Sequence, residues 1–281
     1  MTLQRPGRSV DPGVLGGDDP MTAREAPAAG AVRRIVALGA SNLTRGLHMV
    51  VSTARRLRGP DVEILAALGH GRSYGATSRL LARSLPGILQ SGIWSRLEAL
   101  PPAPTRCLVT DVGNDILYGS PAAQTIGWVE ETVDRLQRHS GDIVLTDLPM
   151  EGIRGLSNAR FLFFRSLYVP GCRLSLSQVR DTTERVNDGL RQLAEARGLR
   201  LCRMKPAWYG FDPIHIRPSL WNMAWQEILC GGTIPGGAPA SRLEAWRLYF
   251  LRPERRRLFG IEQVTPQAGT PLAAGGRLWL Y

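Results

Sequence analysis

The chain has 281 residues, enough for one large domain or two small ones, and 43% of them are hydrophobic, which is ample for a packed core. The formal net charge of +11 comes from 35 basic and 24 acidic residues, and Lys205 is the sole lysine; this is an arginine bias spread along the chain, and it identifies no nucleic-acid partner. No apolar stretch approaches ~20 residues, so no membrane span is expected, and the N-terminal stretch is broken by Pro6, Arg8, Asp11 and Pro12 where a secretory signal would be apolar, so a cytoplasmic location is expected.

Residues 1–31 are rich in Gly, Pro, Ala and Asp without periodicity, and are predicted to be a disordered leader. Order begins near Arg33. Ile35–Gly39 (IVALG) is a short, wholly apolar run of the kind that forms a buried parallel strand. Leu43 to Leu57 then carries apolar residues at helical spacing. Val62–Leu68 reads as a second strand and Thr77–Leu89 as a helix with a kink at Pro86. Arg106–Val112 is a third strand, Gln124–His139 a helix, Asp142–Leu148 a fourth strand, Ser177–Arg197 a long amphipathic helix, Leu199–Met204 a fifth strand and Trp221–Leu229 a last helix. Five strands alternating with helices predict a parallel sheet covered on both faces, a three-layer α/β/α sandwich spanning residues 32–230. Residues 231–281, with Trp246, Tyr249, Phe250 and Trp279, form a C-terminal extension whose role the pattern does not define. Of the four cysteines, Cys107 and Cys202 fall within apolar strands and read as buried thiols; with Cys172 and Cys230 they form no CxxC pair, so neither a disulfide scaffold nor a metal site is indicated.

In such sheets the ligand crevice lies beyond the carboxyl ends of the strands. The segments there are Gly39-Ala40-Ser41-Asn42, then Gly69 to Thr77, then Val112-Gly113-Asn114-Asp115, and finally Phe211-Asp212-Pro213-Ile214-His215. Ser41 follows a buried strand and precedes a helix, a position that exposes its hydroxyl at the crevice and favours negative charge beside the helix N-terminus; a helix N-cap is the plain alternative. Asp212 and His215 are separated by a turn containing Pro213, and a tight loop of this spacing can seat a carboxylate on one imidazole nitrogen while the other faces a nucleophile. Taken alone, the pair also reads as a surface histidine beside a capping aspartate. The backbone N–H groups of Ser41 and Gly75 and the side-chain amide of Asn114 are three donors on adjacent strand ends that could hold an oxyanion. Gly75 and Asn114 are also ordinary turn residues.

The order Ser, Gly, Asn, then Asp-x-x-His resembles the four sequence blocks of the SGNH (GDSL-like) hydrolases. Gly39-Ala40-Ser41, Tyr74-Gly75-Ala76-Thr77, Gly113-Asn114-Asp115 and Asp212-Pro213-Ile214-His215 carry the resemblance, which covers about residues 33–230. It implies a flavodoxin-like five-stranded sheet and ester hydrolysis with no cofactor or metal. It also implies Ser41 as nucleophile, His215 as base, Asp212 as orienting acid, and Ser41, Gly75 and Asn114 as oxyanion hole. The first block of that family usually reads Gly-Asp-Ser-Leu, whereas Ala40 and Asn42 flank the serine here. The substrate implied is a small-molecule, carbohydrate or lipid ester, with no nucleic acid. An acyltransferase, or a non-catalytic binding protein on the same scaffold, are the alternatives. The α/β-hydrolase fold also uses Ser, Asp and His in chain order, but places its serine after a later strand. His48, His70 and His139 lack metal-ligand spacing, although His70 falls near the crevice. The apolar run Phe161 to Tyr168 reads as core, a lid, a dimer face or an acyl-pocket wall.

Overall fold

The computed structural model describes residues 1–2, 33–234, 241–273 and 275–281; the leader expected over residues 1–31 lies outside the described residues from position 3 onward. In chain order the elements are β1 (Arg34–Leu38), α1 (Ser41–Arg58), β2 (Glu63–Ala67), β3 (Ser78–Leu80), β4 (Arg83–Leu85), α2 (Ile93–Ala99), β5 (Thr105–Val109), α3 (Asn114–Leu117), α4 (Ala122–Gln137), β6 (Ile143–Thr146), α5 (Met150–Arg154), α6 (Asn158–Tyr168), α7 (Leu176–Ala196), β7 (Arg200–Cys202), α8 (Trp221–Cys230), α9 (Arg242–Tyr249), β8 (Arg255–Leu258), β9 (Ile261–Val264), β10 (Thr270–Pro271) and β11 (Arg277–Leu280).

The central sheet runs β10-β11-β2-β1-β5-β6-β7, with every pair parallel except β10 with β11. The five expected strands are all present, in the order 2-1-3-4-5 that defines a flavodoxin-like sheet. The wholly apolar strands are explained by burial on both faces. On one face Ile35, Ala37, Ile64 and Ala66 pack with Leu43, Leu47 and Val50 of α1 and with Trp225 and Ile228 of α8. On the other, Val36, Leu38, Leu65 and Ala67 pack with Val129 and Val133 of α4 and Val186 and Leu190 of α7. The result is a three-layer α/β/α sandwich. No helix among the described residues is long and apolar enough to cross a membrane. Cys107, Cys172 and Cys202 are buried free thiols.

Two expectations need correction. The sheet has seven strands, not five, because residues from the expected extension enter it. Residues 277–280 pair in parallel with β2, and Leu278, Trp279, Leu280 and Tyr281 are almost completely buried. The expected helix over 77–89 is instead the hairpin β3–β4, turned at Leu81 with φ +52°. Its strand conformation is held by β8, which pairs with β4 and is followed by β9 in a second, four-stranded sheet. That partner lies some 170 residues further along the chain, where no local pattern could reveal it.

Candidate functional site

The chain leaves β1 toward β2 on one side, while β5 flanks β1 on the other, so the crevice opens where β1 and β5 end. Gly39 passes through that point with no room for a side chain: a Cβ there would lie 2.7 Å from Thr110 Cγ2. Ser41 is the first residue of α1, and Ala40 in the cap position supplies no side-chain hydrogen bond. The serine hydroxyl is therefore not spent on capping, and its Oγ lies 2.9 Å from His215 Nε2.

Asp111, from the loop after β5, supplies the cap from outside the helix. Its Oδ2 accepts the N–H groups of Ala40 and Leu43 at 3.0 and 3.1 Å. Asp111 sits at φ +60°, a left-handed conformation that aspartate tolerates better than most residues. Asn42 then ties three segments together. Its amide nitrogen donates to Asp111 Oδ1 and to the Ile214 carbonyl, both at 2.9 Å, and its oxygen accepts the Ile216 N–H at 2.9 Å. Ala40 and Asn42, the departures from the family's first block, thus sit in a clamp that joins the serine's helix to the histidine's loop. Neither Asp111 nor Asn42 is marked as a site residue by the sequence pattern. Asp111 gives no local signal, because its partners lie about 70 residues away.

The histidine loop closes on itself. Asp212 Oδ1 accepts the N–H groups of Ile214 and His215 at 3.1 and 3.2 Å, and Oδ2 lies 2.6 Å from His215 Nδ1. Tyr168 of α6 adds a second donor, its hydroxyl 2.6 Å from Asp212 Oδ2 and its ring edge-on to the imidazole at 5.0 Å between centroids. Burial alone would raise the Asp212 pKa; the hydrogen bond and charge of His215, the Tyr168 hydroxyl and the Ile214 N–H outweigh it and bring the carboxyl down to about 2. His215 itself is only 6% exposed. The structure therefore brings Ser41, His215 and Asp212 into one continuous hydrogen-bonded line.

The remaining donors divide. Asn114, at the start of α3, lines the cavity beside Ser41, and one amide hydrogen goes to the Arg72 carbonyl at 3.2 Å, leaving a second donor. Gly75 is not brought to this cavity among its lining residues. Its α-carbon faces Trp128 of α4, where a Cβ would come within 1.9 Å of the indole. Gly71 is likewise not among those lining residues; the β2 loop meets the site's Asn114 through the Arg72 carbonyl. The Gly71 carbonyl accepts from the Tyr118 hydroxyl at 2.5 Å, and Gly71 adopts φ +68°. Ser73 lies in Gly71-Arg72-Ser73-Tyr74-Gly75, a G-x-S-x-G sequence, but it is not a second nucleophile. It is completely buried, its hydroxyl donating to the Asp115 carboxylate and accepting the Ala76 N–H at 2.8 Å.

From Ser41 a cavity of about 970 Å³, including its open mouth, runs inward under α6. Its walls are mainly apolar, with Leu117, Leu148, Ile153, Leu156, Phe164 and Val179 among them. Phe161 and Phe164 of α6 face inward, while Leu162, Phe163 and Leu167 of the same helix are exposed. The aromatic run 161–168 is thus a pocket wall with an apolar outer face.

No protein-family model matches the chain, and no curated protein matches it. The solved structures that match include SGNH- and GDSL-family esterases. The psychrotrophic esterase EstA from Pseudoalteromonas sp. is 14% identical with a TM-score of 0.42, over 71% of this chain and 95% of that one. AlinE4, a SGNH-hydrolase family esterase, is 20% identical with a TM-score of 0.40, over 62% and 77%. A member of the lipolytic protein G-D-S-L family from Veillonella parvula DSM 2008 is 12% identical with a TM-score of 0.43, over 69% of this chain and 96% of that one.

Proposed function

We propose that the chain is a serine ester hydrolase of the SGNH type that works through an acyl-enzyme on Ser41. The observation that carries this reading is the line Ser41 Oγ, His215 Nε2, His215 Nδ1, Asp212 Oδ2, with contacts of 2.9 and 2.6 Å at the head of an apolar cavity. In the reaction, Ser41 Oγ attacks the ester carbonyl carbon and its proton passes to His215 Nε2. Asp212, ionised, stabilises the imidazolium through Nδ1–H and fixes the ring, and Tyr168 holds Asp212 in turn. The tetrahedral adduct collapses, the C–O bond to the alcohol breaks, and the alcohol leaves with the proton from Nε2. Water, deprotonated by the same nitrogen, then releases the acid and restores Ser41.

The oxyanion meets the Ser41 N–H and the free hydrogen of the Asn114 amide. For the backbone donor from the second strand end we assign Gly71 in place of Gly75, because Gly71 neighbours the Arg72 carbonyl held by Asn114 whereas Gly75 packs on Trp128. Asn114→Ala is expected to lower kcat by about 10²–10³ with KM little changed, since the lost bond strengthens only as charge develops. A steady-state comparison in which only KM rises would remove Asn114 from this role.

The direct test is labelling of the folded chain with a fluorophosphonate, followed by peptide mapping. An adduct confined to Ser41, absent after denaturation, is expected. A folded chain that remains unlabelled would leave only a binding protein on this scaffold.

A further inference from the structure

We propose that the turn end of the second sheet, with Leu81 and Phe259 at its two tips, is a docking site for an anionic lipid surface. The inference does not rest on the esterase reading.

In the sheet β3-β4-β8-β9 all neighbours are antiparallel, so the β3–β4 and β8–β9 turns lie at the same end. The Phe259 N–H donates to the Ala82 carbonyl at 2.8 Å and holds the turns side by side. Each is a two-residue turn, Leu81-Ala82 and Phe259-Gly260. Phe259 and Gly260 have φ +51° and +80°, and Leu81 has φ +52°. Turns with positive φ at both central positions ordinarily carry Asn-Gly, and those with positive φ at the first alone carry glycine there. Large side chains at such positions crowd their own backbone. Burial does not compensate: Leu81 is 96% exposed and Phe259 80%, with Ile261 beside them 69% exposed. Among the described residues the other non-glycine at positive φ is Asp111, whose conformation serves the clamp at Ser41. Strain kept where the side chain meets only water points to a role outside the fold.

The charge beside the tips selects the occupant. Strand register puts Arg79, Arg255 and Arg257 on the sheet face opposite to buried Leu85. All three are exposed, and among the described residues none has an ion pair or a side-chain hydrogen bond. Glu262, opposite Arg257, is the acid that shares this face. Arg79 and Arg257 each precede a tip residue by two positions, about 7 Å along the strand. That separation sets a guanidinium at the lipid phosphates when the tips enter the boundary between headgroups and acyl chains, to a depth of ~5–10 Å. A nucleic acid would meet the arginines and leave the apolar tips in water. A stable protein interface takes roughly 20–30 residues a side, whereas the tips offer Leu81, Phe259 and Ile261.

The test is flotation of the full chain with vesicles of phosphatidylcholine mixed with phosphatidylglycerol, against vesicles of phosphatidylcholine alone. The parent is expected to bind the mixed vesicles, to bind the neutral ones much more weakly, and to be released as salt rises. Leu81→Gly combined with Phe259→Gly is expected to weaken binding about 100-fold, about tenfold for each side chain withdrawn from the lipid. Glycine relieves the positive φ, so this variant should melt no earlier than the parent. Arg79→Gln combined with Arg257→Gln should weaken binding to the mixed vesicles about 30-fold and leave the neutral ones unchanged. A parent that binds neither vesicle, or both equally, overturns the inference. So does a glycine variant that binds as the parent does, or one that melts earlier, since the tips would then be packing within the fold. A parent that self-associates through the tips in place of binding lipid assigns the surface to a second copy of the chain and overturns it too. None of these readouts depends on labelling at Ser41.

Discussion

Ser41→Ala is expected to leave the fold and its stability unchanged and to lower kcat by about a millionfold on any ester the parent cleaves. The helix does not depend on the serine side chain, because Asp111 accepts the Ala40 and Leu43 N–H groups at its start and its cap residue is Ala40. A loss of turnover without loss of stability therefore separates the nucleophile from a structural serine. Denaturant unfolding alongside active-site labelling would settle it, and a variant that retained even a tenth of parental turnover would remove Ser41 from the chemistry. The pH dependence of the parent follows from the same line of atoms. Loss of the Asp212 charge is expected to lower turnover only as pH falls toward about 2, which a pH–rate profile checks. In stability the sign is that of a depressed carboxyl: the contribution of Asp212 is complete above its unfolded value of 3.8 and fades as pH falls toward about 2.

Asp111→Ala is expected to be the most damaging change outside the triad. It leaves the Ala40 and Leu43 N–H groups and one Asn42 hydrogen without their acceptor. At ~1–3 kcal/mol for each unsatisfied buried donor, a loss of about 3–5 kcal/mol is expected, and the serine loses its alignment with the imidazole. Asp111→Asn should be much milder. Its carbonyl oxygen, in the place of Oδ2, can accept both backbone donors, so that only the Asn42 hydrogen loses its acceptor, and asparagine tolerates φ near +60° as aspartate does. The ranking Ala worse than Asn, in both unfolding midpoint and kcat, is the expected outcome. Equal stability of parent and alanine variant would show that water replaces the carboxylate without cost.

The meeting of Ser41, His215 and Asp212 was legible because each lies next to a strand end or within one short turn. Ser41 abuts β1, and Asp212 with His215 shares a closed loop; alone each also reads as a cap or a surface pair, and only the order of the four blocks suggested their roles. Asn114 was legible for the same reason, directly after β5. Gly71 and Gly75 both follow β2, and position along that loop does not separate them; Trp128 faces Gly75 and Tyr118 faces Gly71. The groups that hold the site together, Asp111, Asn42 and Tyr168, were not legible, since each acts on a residue at least 40 positions away. The sandwich was clear from the apolar strands, whereas β3–β4 was read as a helix because its strand partner, β8, comes from the far end of the chain.

The second sheet has a consequence for how the protein becomes competent. The loop bearing His70 and Gly71 runs straight into β3–β4, and that hairpin is braced by a segment beginning at Arg255. Bringing such distant stretches together is the slow kind of event in folding, because ordering a long intervening loop precedes any reward from the contact. The loop around His70 and Gly71 is thus framed only when the C-terminal segment has docked on the hairpin.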